Sequence, residues 1–195
     1  MRVRKAREDM SGQCAKRHPV EYSNIESRDL QGVNISTPGP AQAETYESHS
    51  DRGGYYAWSD DWAIPSAGKG VLLFKANAQN DITVAISPAK QVTKPMYEII
   101  LGGWKNGGSA IRRESQGGIL ARRDVGFPSP GVLADYWVLI DRDRHLVSAG
   151  YGTQPGANVL ISYTDDQFIG GARYFSFSSW DHPVDYEGIR SGNLP

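Results

Sequence analysis

The sequence predicts an all-β protein: an antiparallel, jelly-roll-like β-sandwich of about ten short strands behind a disordered N-terminal leader. Three observations lead there. Apolar and aromatic residues recur at period two over short stretches separated by turn residues. The 195 residues include 22 glycines and 11 prolines, which punctuate the chain too often for long helices. No window of about 10–12 residues shows an amphipathic helical stripe.

Composition narrows the function classes. The net charge of −1 gives no global field for nucleic acid. The single cysteine, Cys14, rules out an internal disulfide framework. No apolar run reaches the roughly 18 residues of a membrane span. The N-terminus, Met1-Arg2-Val3-Arg4-Lys5-Ala6-Arg7, lacks the apolar core of a secretion signal, so the cytoplasm is the default compartment.

Residues 1–45 show no periodicity. The first 17 residues carry a charge of +4, and a polar run follows to Thr37-Pro38-Gly39-Pro40. Such a segment buries too little apolar surface to offset its ordering entropy, so it reads as a disordered basic and polar leader. A basic arm for an anionic surface is the sharper alternative. The folded domain is expected over residues 46–195. Tyr55, Tyr56, Trp58 and Trp62 bring aromatics into a polar stretch, and Val71 to Ala76 reads as a strand. Asn77 to Asn80 is a turn. Asp81 to Ser87 is the cleanest alternation, with Ile82, Val84 and Ile86 on one face.

Tyr97 to Arg113 reads as strand, glycine-rich turn, strand. Tyr97, Ile99 and Leu101 share one face, and Ile111 resumes the pattern. Asn106-Gly107 is a turn dipeptide whose residues both tolerate positive φ. Further strands are expected at Gly118 to Arg122, Tyr136 to Ile140, His145 to Gly150, Asn158 to Tyr163, Ala172 to Ser179 and Val184 to Ile189. Asp141 to Arg144 joins two of them as a charged hairpin turn.

Several of these segments together resemble one family. Phe74-Lys75-Ala76 and the Asp81–Ser87 alternation lead to Tyr97-Glu98-Ile99-Ile100-Leu101-Gly102-Gly103-Trp104-Lys105-Asn106. Ile111-Arg112-Arg113, Tyr136-Trp137-Val138 and Phe177-Ser178-Ser179-Trp180 then follow in order. This series is similar to the farnesoic acid O-methyltransferase domain family, over residues 55 to 190. The family's name implies a carboxyl O-methyltransferase acting on farnesoic acid with S-adenosylmethionine as donor. The resemblance also implies a small β-sandwich found beside lectin-like and adhesion modules, hence a binding role, for carbohydrate above all, and an extracellular setting.

The residues themselves argue against methyl transfer. The one glycine run of suitable shape, Ser148 to Gly156, follows a strand but leads into the strand-like Asn158 to Tyr163. No helix N-terminus is available there to hold a cofactor. No catalytic residue is assigned: there is no nucleophile elbow, and Cys14 lies in the leader. The histidines lack ligand spacing, and the acidic pairs Asp60-Asp61, Asp141 with Asp143, and Asp165-Asp166 supply too few oxygens for calcium. No metal or cofactor is expected outside the methyltransferase alternative.

Exposed aromatics are the better lead, because sugar rings offer apolar C–H faces to indoles. Trp104 and Trp180 sit at strand ends beside Asn106 and Asp181, with His182 next in a tight bend. Trp137 lies among apolar residues and reads as core. Arg112 and Arg113 are adjacent on a strand, so they point to opposite faces. One of them needs a partner: a structural carboxylate such as Glu98, or an anionic ligand. The candidate ligand-binding set is therefore Trp104, Asn106, Arg112, Arg113, Trp180, Asp181 and His182. The expected function is a non-catalytic module binding a small molecule or glycan. The enzyme above and a protein-interaction module with a pairing strand edge are its competitors.

Overall fold

A computed structural model describes residues 46–48, 56–180 and 182–194; the expected leader and Asp181 lie outside the described residues. Two six-stranded antiparallel sheets form a sandwich. The strands are β1 (Tyr46–Ser48), β2 (Ala57–Trp58), β3 (Lys69–Asn77), β4 (Ile82–Ser87), β5 (Tyr97–Gly102) and β6 (Gly108–Arg112). They continue with β7 (Ile119–Arg123), β8 (Ala134–Asp141), β9 (Leu146–Tyr151), β10 (Val159–Thr164), β11 (Tyr174–Ser178) and β12 (Val184–Asn193). The first sheet has the order β1-β12-β3-β8-β9-β10, and the second β2-β11-β4-β5-β6-β7. The all-β sandwich is thus the architecture the alternating sequence required.

The alternation places the core directly. Ile82, Val84 and Ile86 of β4, Tyr97, Ile99 and Leu101 of β5, and Ile111 of β6 all face the first sheet and are fully buried. Aromatic side chains join the sheets. Phe177 lies 4.3 Å from Tyr186 and 5.1 Å from Phe74, with Trp62 edge-on at 5.0 Å. Such pairs prefer offset or edge contacts because of the ring quadrupole. Trp62 is therefore core. So is Trp137, as expected, with its indole N–H donating to the Ala157 carbonyl.

The first sheet is also apolar on its outer face. Val71, Leu73, Trp137, Leu139, Leu146 and Leu194 form a separate buried cluster there. This is why β3 and β8 read as near-continuous apolar runs. Gly150 sits under Trp137 and beside Asn158: a Cβ there would lie 2.5 Å from each of two atoms, the Asn158 carbonyl oxygen and Trp137 Cζ2. The glycine run around it thus has a packing role. β10 follows, as the sequence suggested.

Two expectations need correction. β1 and β2 fall where the sequence reading placed aromatics but no strand, and β12 runs on to Asn193, beyond the expected end at Ile189. β12 changes register between Glu187 and Arg190, with Gly188 at φ 58°, so its period-two pattern breaks in mid-strand. The β5–β6 connection is also more constrained than a two-residue turn. Residues Gly103–Asn106 make one left-handed turn, with Trp104, Lys105 and Asn106 at φ 55°, 60° and 60°. Gly107, expected at positive φ, has φ −91°.

Candidate functional site

The outward face of the second sheet follows from the same alternation. If Tyr97, Ile99 and Ile111 point inward, then Glu98, Ile100 and Arg112 point outward. The pairing sets Glu98 opposite both Arg112 on β6 and Ala85 on β4, and sets Thr83 opposite both Ile100 and Ser178. Thr83, Glu98, Ile100, Arg112 and Ser178 floor a cavity of about 380 Å³. Its walls come from loops: Tyr56 before β2, Asp81 before β4, Gln116 between β6 and β7, and Ser179 after β11. Trp104 and Trp180 complete the lining, 41% and 47% exposed.

Glu98 organises the floor. It is 3% exposed, and a buried carboxylate needs several donors. The Tyr56 hydroxyl donates to Oε1. Arg112 Nη1 donates to Oε2 at 3.2 Å, and the Gln116 backbone N–H donates to Oε2 at 3.0 Å. Burial, and then the nearby Glu98 charge, push the Tyr56 phenol well above its ordinary range, so it stays a protonated donor. Gln116 has φ 54°, which aims its backbone N–H at the carboxylate and leaves its side chain on the cavity wall. Arg112 Nε and Ser179 Oγ are buried without a hydrogen-bond partner among the described residues.

The left-handed turn presents Trp104. Three successive non-glycine residues at positive φ cost about 1 kcal/mol each, so neighbouring structure must impose the conformation. Asn106 does this. Its Nδ2 donates to the Phe127 carbonyl at 2.9 Å, and its Oδ1 accepts the Phe127 N–H at 3.0 Å. The Gly107 N–H closes the turn on the Gly103 carbonyl at 2.9 Å. The Arg122 guanidinium lies 4.2 Å from the Trp104 ring centroid and covers part of the indole.

The structure therefore divides the sequence-derived set. Trp104, Arg112 and Trp180 converge on the cavity. Asn106 does not reach it, because both ends of its amide are spent on Phe127. Arg113 points the other way and pairs with Asp165, while its Nη1 donates to the Gln167 carbonyl at 2.7 Å. His182 is exposed and does not line the cavity, and Asp181 lies outside the described residues. Tyr56, Asp81, Thr83, Gln116, Ser178 and Ser179 were not anticipated. Glu98 was foreseen only as an arginine's structural partner, which it is.

Asp165 carries the second buried charge network. Burial pushes its carboxyl up, but hydrogen bonds from the Tyr97 hydroxyl, the Gln167 N–H and Arg113 outweigh this and hold it below the usual range. Asp141 is a turn cap: its Oδ1 accepts the Asp143 N–H at 3.0 Å and the Arg144 N–H at 3.3 Å. Among the described residues no three His, Cys, Asp or Glu side chains are placed to hold a metal ion.

A cavity with an indole rim and a polar floor thus lies on the outer face of a two-sheet β-sandwich domain. The sequence model of the family described as farnesoic acid O-methyl transferase matches residues 54–190, and the chain belongs to that family. A BTB/POZ domain-containing protein of Arabidopsis thaliana is 30% identical over 149 residues. The match covers 68% of this chain but only 17% of that relative. Among solved structures, β-fructofuranosidase of Aspergillus kawachii superposes with a TM-score of 0.59 at 10% identity, over 87% of this chain and 29% of that one. The carbohydrate-binding module CBM66 of Bacillus subtilis superposes with a TM-score of 0.56 at 10% identity, over 78% and 92%. These likenesses are of fold. No helix among the described residues is long and apolar enough to cross a membrane.

Proposed function

We propose that this domain is a non-catalytic glycan-binding module and that its site is the cavity between Trp104 and Trp180. The observation that carries this reading is the convergence of two half-exposed indoles on a floor of fixed polar groups, two of which hold unspent hydrogen-bonding atoms. Indoles stack on sugar C–H faces, and polar floor groups bond hydroxyls. A volume of about 380 Å³ is enough for a sugar-sized ligand. The likeness to a protein named as a carbohydrate-binding module supports the reading at the level of fold.

The floor's most basic and most acidic groups neutralise each other. Glu98 accepts three hydrogen bonds and pairs with Arg112, which makes it a positioning group for Arg112 and Tyr56. The family description raises methyl transfer as a competitor. In this chain the glycine run that would cradle a cofactor packs under Trp137 and is followed by β10. An array of neutral and acidic glycans, read with the folded domain and with Trp104→Ala and Trp180→Ala, tests the proposal. Retained glycans lost in both variants support it. Silence on the array, together with methyl transfer from S-adenosylmethionine to farnesoic acid, would replace it with the enzyme.

A further inference from the structure

We infer that Arg122 is a positioning residue for the glycan site: its guanidinium backs the Trp104 indole and fixes the side of that ring turned to the cavity. This rests on the glycan reading above. Arg122 Cζ lies 4.2 Å from the Trp104 ring centroid, within the range of a cation held over an aromatic face. Trp104 lines the cavity and Arg122 does not. The guanidinium therefore covers the side of the indole that a ligand in the cavity does not use.

Strand order accounts for this placement. The cavity floor is drawn from β11, β4, β5 and β6, and β7 lies beyond β6 at the margin of the sheet. Register sets Ile100 opposite Ala110, and Ala110 opposite Arg122. Residues paired across strands share a face, and Ile100 faces the cavity, so Arg122 stands on that face one strand outside the floor. Gly108 precedes Ala110 by two residues and shares its face. A Cβ on Gly108 would meet Trp104 Cε3 at 3.4 Å and Arg122 Nε at 3.8 Å. The missing side chain leaves room for the indole and the guanidinium to lie together over the sheet.

The restraint complements the latch at Asn106. Asn106 fixes the backbone of the left-handed turn through Phe127, which leaves the Trp104 side-chain torsions to be set by other contacts. A guanidinium stacked on the indole restrains those torsions before a ligand arrives. Ordering done in the free protein is not charged against binding, so the restraint raises affinity without a new contact to the sugar. Arg122 also meets Asp124, with Nε donating to Oδ1 at 3.1 Å. That carboxylate is exposed, and a surface pair of this kind contributes little to stability. Loss of Arg122 is therefore read in the stance of Trp104 and not in the fold.

The test is calorimetric titration of the folded domain with glucose, galactose, mannose and fructose, and with maltose, lactose and sucrose. For a sugar that the wild type binds, Arg122→Ala weakens binding about fivefold at an unchanged melting temperature. Arg122→Lys keeps a cation beside the ring and restores affinity to within about twofold of the wild type. On a Trp104→Ala background Arg122→Ala has no further effect, because its influence passes through the indole. In the ligand-free protein Arg122→Ala shifts the Trp104 indole N–H signal and leaves that of Trp180 in place. Wild-type affinity in Arg122→Ala, an undiminished loss on the Trp104→Ala background, or an unmoved Trp104 signal would each overturn the inference while leaving glycan binding intact. Silence of the wild type toward every saccharide would overturn the glycan reading itself, and this inference with it.

Discussion

Asn106 separates scaffold from ligand contact. Its amide makes two hydrogen bonds to the Phe127 backbone, at 2.9 and 3.0 Å, and its backbone sits at φ 60°. Asn106→Ala removes both bonds, at about 1 kcal/mol each. It also puts an alanine where asparagine is better tolerated, at a further cost of about 1 kcal/mol. The expected loss is about 3 kcal/mol, read as a lower urea midpoint at unchanged slope. Asn106→Gly loses the same two bonds but avoids the positive-φ penalty, so it costs about 2 kcal/mol, or a little more for glycine's chain entropy. Alanine should therefore be the worse of the two, which reverses the usual order inside a strand or helix. Both variants loosen the Trp104 turn and weaken binding through it. Wild-type stability in Asn106→Ala combined with abolished binding would refute the latch and return Asn106 to the ligand site.

The other predictions follow from the two charge networks and the rim. Trp104→Ala folds normally, because the indole is half-exposed, and loses at least about tenfold in glycan affinity by titration. Glu98→Gln leaves Arg112 without its buried counter-charge and destabilises the domain by about 3 kcal/mol in urea unfolding. Asp165 is held below its unfolded value near about 3.9. Its contribution is therefore fully present above that pH and is lost as the pH falls through the lower folded value. Stability measured from pH 6 to pH 2 should fall at the acid end in the wild type, and less steeply in Asp165→Asn.

What the chain disclosed about itself follows a physical line. Period-two alternation is local, so Ile82, Val84, Ile86, Tyr97, Ile99, Leu101 and Ile111 could be assigned to one face before any pairing was known. The same alternation put Arg112 and Arg113 on opposite faces and allowed Glu98 as a partner, which the β5–β6 register realises. Trp104 and Trp180 were legible as strand-end aromatics. Tyr56, Gln116 and Ser179 were not, because each reaches the cavity from a loop whose position depends on non-local strand pairing. A signal existed for Ser179, a small polar residue beside an exposed tryptophan at a strand end. Asn106 was misjudged for a related reason: its neighbour Phe127 is 21 residues away and meets it only when β7 returns to the same edge. The β12 bulge hid the end of its own strand, beyond Ile189, by shifting the register.

The most direct test of the central claim uses the five tryptophans of the chain as internal probes. Each indole N–H gives one signal in a ¹⁵N correlation spectrum, assignable by single substitution. Titration with a neutral sugar that the domain retains should move the Trp104 and Trp180 signals together, with one dissociation constant. Trp62 and Trp137, buried in the two apolar clusters, should stay still. Binding that leaves both rim indoles unmoved would contradict the assignment of this cavity as the glycan site.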